Sequence, residues 1–286
     1  MTLCKNLLVI LLILSALISC RQEDNEYAFF VAGHTYGSPS GKNPGLHPPF
    51  IRDFGRLNND SSIVFGVLTG DIVRKSDTLS WDSVDAQLSK LRMPVYFSPG
   101  NHDTYNRELY EDRYGKTYFT FEYMNDRFII LDGNISNWNI DGEQLAFLKE
   151  SLKNAGHGTR NIFVFIHQLI WWDEMNIFGG VHLNWPPYTP DTTNYWGEVE
   201  PLLQRAVAPV FFFAGDIGAN DQATPVMYYH EGNITYIASG MGNIHDDNYI
   251  IVRIHAHGDV TFELIAPGDD HGRLGKLEDH DLNRSD

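Results

Sequence analysis

Cysteine is nearly absent. The two present, Cys4 and Cys20, both lie within the first twenty residues. The chain beyond them cannot be held by disulfides, whatever the redox state of its compartment. Positive charge is also scarce: 21 Lys and Arg stand against 37 Asp and Glu, a net charge of −16. That balance argues against nucleic acid as a partner, or an anionic bilayer held by charge. Long hydrophobic runs are missing too, since the apolar stretch from Leu7 to Ser19 is too short to span a bilayer comfortably. No shift in composition marks a second domain, and 286 residues are enough for a full core.

What is present begins with that short apolar stretch. Lys5 precedes it, and it ends in Leu17-Ile18-Ser19-Cys20, which resembles a bacterial lipoprotein lipobox. The resemblance implies that residues 1–19 are a signal peptide and that Cys20 is the lipidated first residue of an exported protein in the bacterial cell envelope. The polar residues 20–26 then act as a tether, and the partner membrane is reached through lipidated Cys20. Stable anchoring needs more than one acyl chain.

Five short runs share one grammar. Tyr27 to Ala32, Ile63 to Thr69, Val95 to Phe97, Ile162 to Ile166 and Val210 to Ala214 are apolar, rich in β-branched and aromatic residues, and without helical period. They read as strands buried on both faces. Each is followed by an acid/base or metal-capable side chain: His34, Asp71, the trio Asn101-His102-Asp103, His167 and Asp216. Ligands gather at the carboxyl ends of strands in open α/β sheets, so the five ends are expected to meet in one crevice.

The order His34, Gly70-Asp71, Gly100-Asn101-His102-Asp103, His167, Gly215-Asp216 resembles the calcineurin-like metallophosphoesterase superfamily over roughly residues 27–266. The resemblance implies a layered α/β/β/α sandwich of two stacked mixed sheets flanked by helices. It also implies hydrolysis of phosphate mono- or diesters by water activated on divalent metal. In that family the blocks D-x-H, G-D, G-N-H-D/E, H and G-H-x-H surround two metal ions. Here Ala32 stands where the first aspartate would be, and Asp216 and Gly218 replace the final histidine pair. One metal position keeps only His34 and the bridging Asp71; the other keeps Asp71, Asn101, His167 and Asp216. One divalent ion is therefore expected, and its oxygen-rich donor set favours Mn, Mg, Ca or Fe over Zn. Substitute ligands could come from His245, Asp246 and Asp247. By the same resemblance His102 serves the leaving oxygen and Asp103 orients its ring through the other nitrogen; with one metal, part of the charge neutralisation must come from elsewhere, and His34 is the nearest candidate.

Elsewhere Trp81, Val84, Leu88 and Leu91 lie at helical spacing behind a Ser80 cap, and Arg107 to Tyr114 reads as a helix. Asp141 and Gln144 form a capping-box pattern ahead of Leu145, Leu148 and Leu152, and a hairpin is expected around Met124-Asn125-Asp126. Val226 to Ile265 reads as antiparallel strands, and residues 267–286 read as an acidic, disordered tail.

The segment from Trp171 to Trp196 has no period and carries four of the six tryptophans, Trp171, Trp172, Trp185 and Trp196. A wall of aromatics beside the crevice could stack on substrate, and packing into a small core is the competing role. Two functions follow. The first is an envelope-tethered metal-dependent phosphoesterase acting on a phosphate-containing small molecule or envelope component. The second is an inactive module on the same scaffold that binds a glycan or other envelope ligand.

Overall fold

The computed structural model describes residues 26–38, 40–185, 193–268 and 270–284. In chain order its strands are β1 (Tyr27–Ala32), β2 (Ile63–Leu68), β3 (Val95–Phe97), β4 (Phe119–Tyr123), β5 (Asp126–Ile130), β6 (Asn161–Phe165), β7 (Val210–Ala214), β8 (Val226–Glu231), β9 (Ile234–Ser239), β10 (Tyr249–Ile254) and β11 (Val260–Ile265). The helices are α1 (Pro48–Arg52), α2 (Phe54–Asn59), α3 (Thr78–Leu88), α4 (Arg107–Tyr114), α5 (Gly142–Lys153) and α6 (Glu200–Gln204).

A five-stranded sheet runs β11-β10-β1-β2-β3 and a six-stranded one runs β4-β5-β6-β7-β9-β8. The neighbours β1, β2 and β3 are parallel, as are β5, β6, β7 and β9, while antiparallel strands lie toward the edges. Side chains alternate across each strand, so β1 feeds two cores. Tyr27, Phe29 and Val31 enter the layer between the sheets with Phe65, Phe128, Phe163 and Phe165. Ala28, Phe30 and Ala32 face the outer layer with Phe50 and Phe54 of the short helices and Trp81 of α3. Leu145, Leu148 and Leu152 of α5 cover the far face of the second sheet. The result is the layered α/β/β/α sandwich.

Inside the sandwich the phenylalanines form ladders across parallel neighbours. Phe128 stacks on Phe163 at 5.0 Å between ring centroids, and Phe165 on Phe213 at 5.2 Å. Each buried ring contributes roughly 1.5–3 kcal/mol by leaving water. The ladders also fix the register that brings the strand ends level.

Four expectations are corrected. In the stretch after Asp216, β8 with β9 and β10 with β11 pair antiparallel as expected, but the two pairs lie in different sheets: β9, buried throughout, is also parallel to β7 in the second sheet, and β10 and β11 belong to the first. A fully apolar strand gains most at an interior position, which leaves β8 at the edge. Helix α3 is capped by Asp77, whose carboxylate accepts the Ser80 N–H at 2.9 Å, while Ser80 is buried in the first turn. No capping box closes α5. Asp141 accepts the Ser136 hydroxyl at 2.7 Å, and Gln144 instead bonds both main-chain groups of Asp132, at 2.7 and 3.0 Å.

The fourth concerns the tail, which is ordered where it is described. Leu277 is buried in the inter-sheet core, and Leu282 donates its N–H to Tyr228 O at 3.0 Å. Three leucines in an otherwise polar stretch dock it: Leu274 and Leu282 pack partly buried on the cores beside Leu277. Cys20, the leader and residues 20–25 of the tether lie outside the described residues.

Candidate active site

Glycine explains the grammar of the strand ends. A Cβ on Gly33 would lie 2.3 Å from the Ser239 carbonyl oxygen, and one on Gly215 would lie 2.0 Å from that of Thr69. The carboxyl ends of the two sheets touch there, backbone to backbone, and only glycine admits that approach. A Cβ on Gly100 would meet the Asp71 carboxylate at 2.2 Å, and one on Gly70 would meet the His167 ring at 2.4 Å. The residues that follow inherit strained positions: His34 and Asp71 adopt φ of 49° and 50°. Such non-glycine backbones cost about 1–3 kcal/mol each and concentrate at functional sites.

Asp71 is the hub. Its Oδ2 lies 3.6 Å from His34 Nε2 and 4.0 Å from His102 Nε2, and its Oδ1 lies 3.3 Å from His167 Nε2 and accepts the His102 N–H at 3.2 Å. Asp216 Oδ2 lies 3.8 Å from His167 Nε2. Each imidazole turns its Nδ1 to a carbonyl: His34 to Met241 (2.7 Å), His102 to Arg74 (2.8 Å) and His167 to Thr69 (2.9 Å). A carbonyl only accepts, so Nδ1 carries hydrogen on all three rings and Nε2 is the atom offered to the crevice.

Charge follows burial. Burial lowers the His34 pKa despite Asp71 beside it. Burial opposes charge on His167 as well, but Asp71 and Asp216 together outweigh it and raise the pKa. For Asp71 burial works against the carboxylate, and His167, His102 and His34 overcome it, so its pKa falls. Burial and then Asp71 push the Asp103 carboxyl up to about 7, against the pull of the Gly100 and Val73 N–H groups.

The structure therefore gathers Asp71, His167 and Asp216, with His34 and His102 alongside. Asn101 is exposed on the loop next to His102 and lines a cleft with Arg74 and Tyr105. Asp103 does not orient the His102 ring. Its carboxylate accepts the N–H groups of Ile72 (2.8 Å), Val73 (3.0 Å) and Gly100 (2.8 Å), so it clamps the loops after β2 and β3 together. The ring's other nitrogen is taken by Arg74 O. Nor do His245 to Asp247 supply ligands: His245 and Asp246 pair with each other in solvent, and Asp247 turns to His47 at 2.9 Å and to the Gly242 N–H at 2.7 Å.

The aromatic wall is also corrected. Trp171 is fully buried among Phe178, Phe212 and Tyr236, and Trp172 and Trp196 pack on the same core with their indole N–H groups on the carbonyls of Val181 and Trp171. Only Trp185 of the four is exposed, at 52%. Two residues escaped sequence reasoning. Tyr36 packs its buried ring on His34 (4.4 Å) and His102 (5.1 Å), and its position two residues past His34 was the available signal. Asn184 donates to Asp216 Oδ1 at 2.8 Å and accepts the Ala219 N–H at 2.7 Å, a partnership across the chain that no local pattern announces.

Among the described residues no group of three His, Cys, Asp or Glu side chains is arranged to hold a metal ion as it stands. Asp71, His167 and Asp216 are the residues that would hold a cation there. His167 Nε2 is buried with no hydrogen-bond partner, a cost that a ligand would remove. Two ligands of one ion with bonds of about 2.1 Å at tetrahedral angles stand roughly 3.4 Å apart. The 3.3 Å separation from Asp71 is of that size, and the 3.8 Å separation from Asp216 is slightly wider. On the other side of Asp71, His34 is the one further donor of those predicted, since Ala32 has none.

The fold is that of the metallophosphoesterases. A purple acid phosphatase from yellow lupin (Lupinus luteus) superposes with a TM-score of 0.63 at 13% identity, covering 87% of this chain and 52% of that one. A dimetal phosphatase from Danio rerio gives 0.58 at 14% identity, covering 83% and 95%. The chain thus spans about half the length of the lupin protein. No curated protein sequence matches it. A sequence model of the calcineurin-like phosphoesterases matches residues 34–240, and the chain belongs to that family. The family implies a divalent metal cofactor.

Proposed function

We propose that the protein is a phosphoesterase that hydrolyses phosphate mono- or diesters with one divalent cation at Asp71, His167 and Asp216. The observation that carries this reading is His167 Nε2, buried without a hydrogen bond and turned toward two carboxylates. A divalent cation held there would lend positive charge to phosphoryl oxygens and make water a stronger nucleophile. The chain's own residues do the rest. His102, half-buried with Nδ1–H fixed on Arg74 O, presents Nε2 to deliver a proton to the leaving oxygen. Asp103 holds the two loops that carry Asp71 and His102, and Tyr36 packs the rings of His34 and His102 in place.

The test is hydrolysis of 4-nitrophenyl phosphate and bis(4-nitrophenyl) phosphate with added Mn²⁺. Asp71→Ala and His102→Ala are each expected to lower kcat/KM by at least ~100-fold, the scale of a general acid or a lost cation. Equal turnover by wild type and both variants would remove the catalytic reading. The pairing of Ala32 with a His34 side that has few donors favours a second reading, a module that binds its ligand without turnover. Binding of a phosphonate analogue with no hydrolysis in any metal would favour it.

The lipobox-like Leu17-Ile18-Ser19-Cys20 supports attachment to a bacterial envelope membrane through lipidated Cys20. Full-length protein expressed in a bacterium should take up radiolabelled palmitate and partition into detergent. Cys20→Ala should do neither, and unchanged labelling of that variant contradicts the tether.

A further inference from the structure

His34 is held from two sides, and both lead back to one buried pair, His47 and Asp247. Its imidazole donates Nδ1–H to the Met241 carbonyl at 2.7 Å. Its backbone, at a φ of 49°, runs into Thr35, whose carbonyl accepts the His47 N–H at 2.7 Å. A non-glycine residue in that conformation persists only where its surroundings over-determine it. The Asp247 carboxylate supplies one flank: Oδ1 accepts the Gly242 N–H at 2.7 Å and the Ile244 N–H at 3.1 Å, which shapes the loop that begins at Met241. Oδ2 lies 2.9 Å from His47 Nε2, and because a carboxylate only accepts, that nitrogen carries hydrogen. The other edge of the His47 ring lies against Gly37, where the backbone has a φ of +79° and a Cβ would stand 2.4 Å from Nδ1. The loop after His34 thus folds onto the ring at a point that only glycine allows. Net stability is not what a buried pair of this kind offers over apolar packing; a fixed geometry is.

We propose that His47 and Asp247 are positioning residues: together they hold the His34 imidazole with Nδ1–H on Met241 O and Nε2 aimed at Asp71, and they act on phosphoester hydrolysis through His34. The effect on turnover rests on the phosphoesterase reading; the hold on the ring does not. His34 Nε2 lies 3.6 Å from Asp71 Oδ2, the carboxylate that three imidazoles surround. Release of the Met241 loop frees the ring to turn that nitrogen away. Loss of an outer partner of a site histidine typically costs ~10–100-fold in activity or metal affinity.

Three variants separate position from bulk. His47→Gln keeps an N–H donor for Asp247, His47→Leu fills the space without one, and Asp247→Ala removes the acceptor shared by the ring and the loop. Imidazole proton NMR of the metal-free full-length protein reads the His34 Nδ1–H directly, assigned by its absence in His34→Gln. Wild type and His47→Gln should show one slowly exchanging resonance, and His47→Leu and Asp247→Ala should lose it to exchange with water. With Mn²⁺ and 4-nitrophenyl phosphate, kcat should fall about tenfold in those two, with KM little changed, and recover in His47→Gln. Thermal unfolding identifies a variant that has not folded; if Asp247→Ala is one, the two His47 variants decide. A resonance that persists in either folded variant, or that His47→Gln fails to keep, would overturn the proposal. Unchanged kcat in a variant that has lost the resonance would overturn its link to the reaction. No turnover by wild type, with the resonances as expected, sinks the phosphoesterase reading and leaves the hold on His34 standing.

Discussion

At the scale of single residues the site is a problem of where protons sit. His167 and His34 are both buried and both feel Asp71 and Asp216, yet their basicities diverge: the two carboxylates outweigh burial at His167, whereas at His34 burial prevails and the neighbouring His167 charge opposes a second one. In metal-free protein the His167 ring should therefore titrate above the ordinary 6.5, and His34 below it. The sign for stability follows. The contribution of His167 is fully present below the unfolded value of 6.5 and disappears as pH rises through its higher folded value. Proton-detected imidazole NMR across pH 5–9 checks it, and the reverse order of the two rings would contradict the assigned environments. Cation binding must expel the His167 Nε2 proton, so it should also release acid.

At the scale of elements, rigidity comes from strand ends that end in glycine and from loops clamped by carboxylates. The loop between β2 and α3 is held at one end by Asp103 and at the other by Asp77, the cap of α3. The Ser80 N–H, more than the exposed Lys75, keeps the Asp77 pKa low. Its contribution is thus present above the ordinary 3.8 and lost as pH falls through the depressed folded value. Asp77→Ala should cost about 1 kcal/mol at pH 7, and the difference from wild type should shrink toward pH 2. Urea unfolding at the two pH values measures it, and an equal cost at both would assign the loss to packing instead.

The same scale separates what the sequence made legible from what it did not. The strand ends at His34, Asp71, His167 and Asp216 could be read because a functional side chain after an apolar run, with a glycine before it at all but His167, is a local mark. Asn184 on Asp216 and the His47 to Asp247 pair join residues far apart in the chain, and no local window of sequence contains both partners. The tryptophans misled for a related reason. An indole in an irregular segment looks available until Phe212 and Tyr236 close over Trp171, and that requires knowing where β7 and β9 lie.

At the scale of the whole molecule, two sheets are pinched together at one edge of their packing layer, and the chemistry occupies the pinch. The tail through Leu277 and the Phe ladders hold the sheets face to face, so the spacing of Asp71 in one sheet from His167 and Asp216 in the other is set by the core. With a net charge of −16 the molecule repels anions at long range, which leaves the work of attracting phosphate to a cation bound in the pinch. The central claim is that the pinch creates one cation site and not two. Titration with Mn²⁺ followed by electron paramagnetic resonance tests it directly. The account predicts about one tightly bound equivalent in wild type, with that equivalent lost in His167→Ala and retained in His245→Ala. Two tight equivalents, or one that persists without His167, would contradict it.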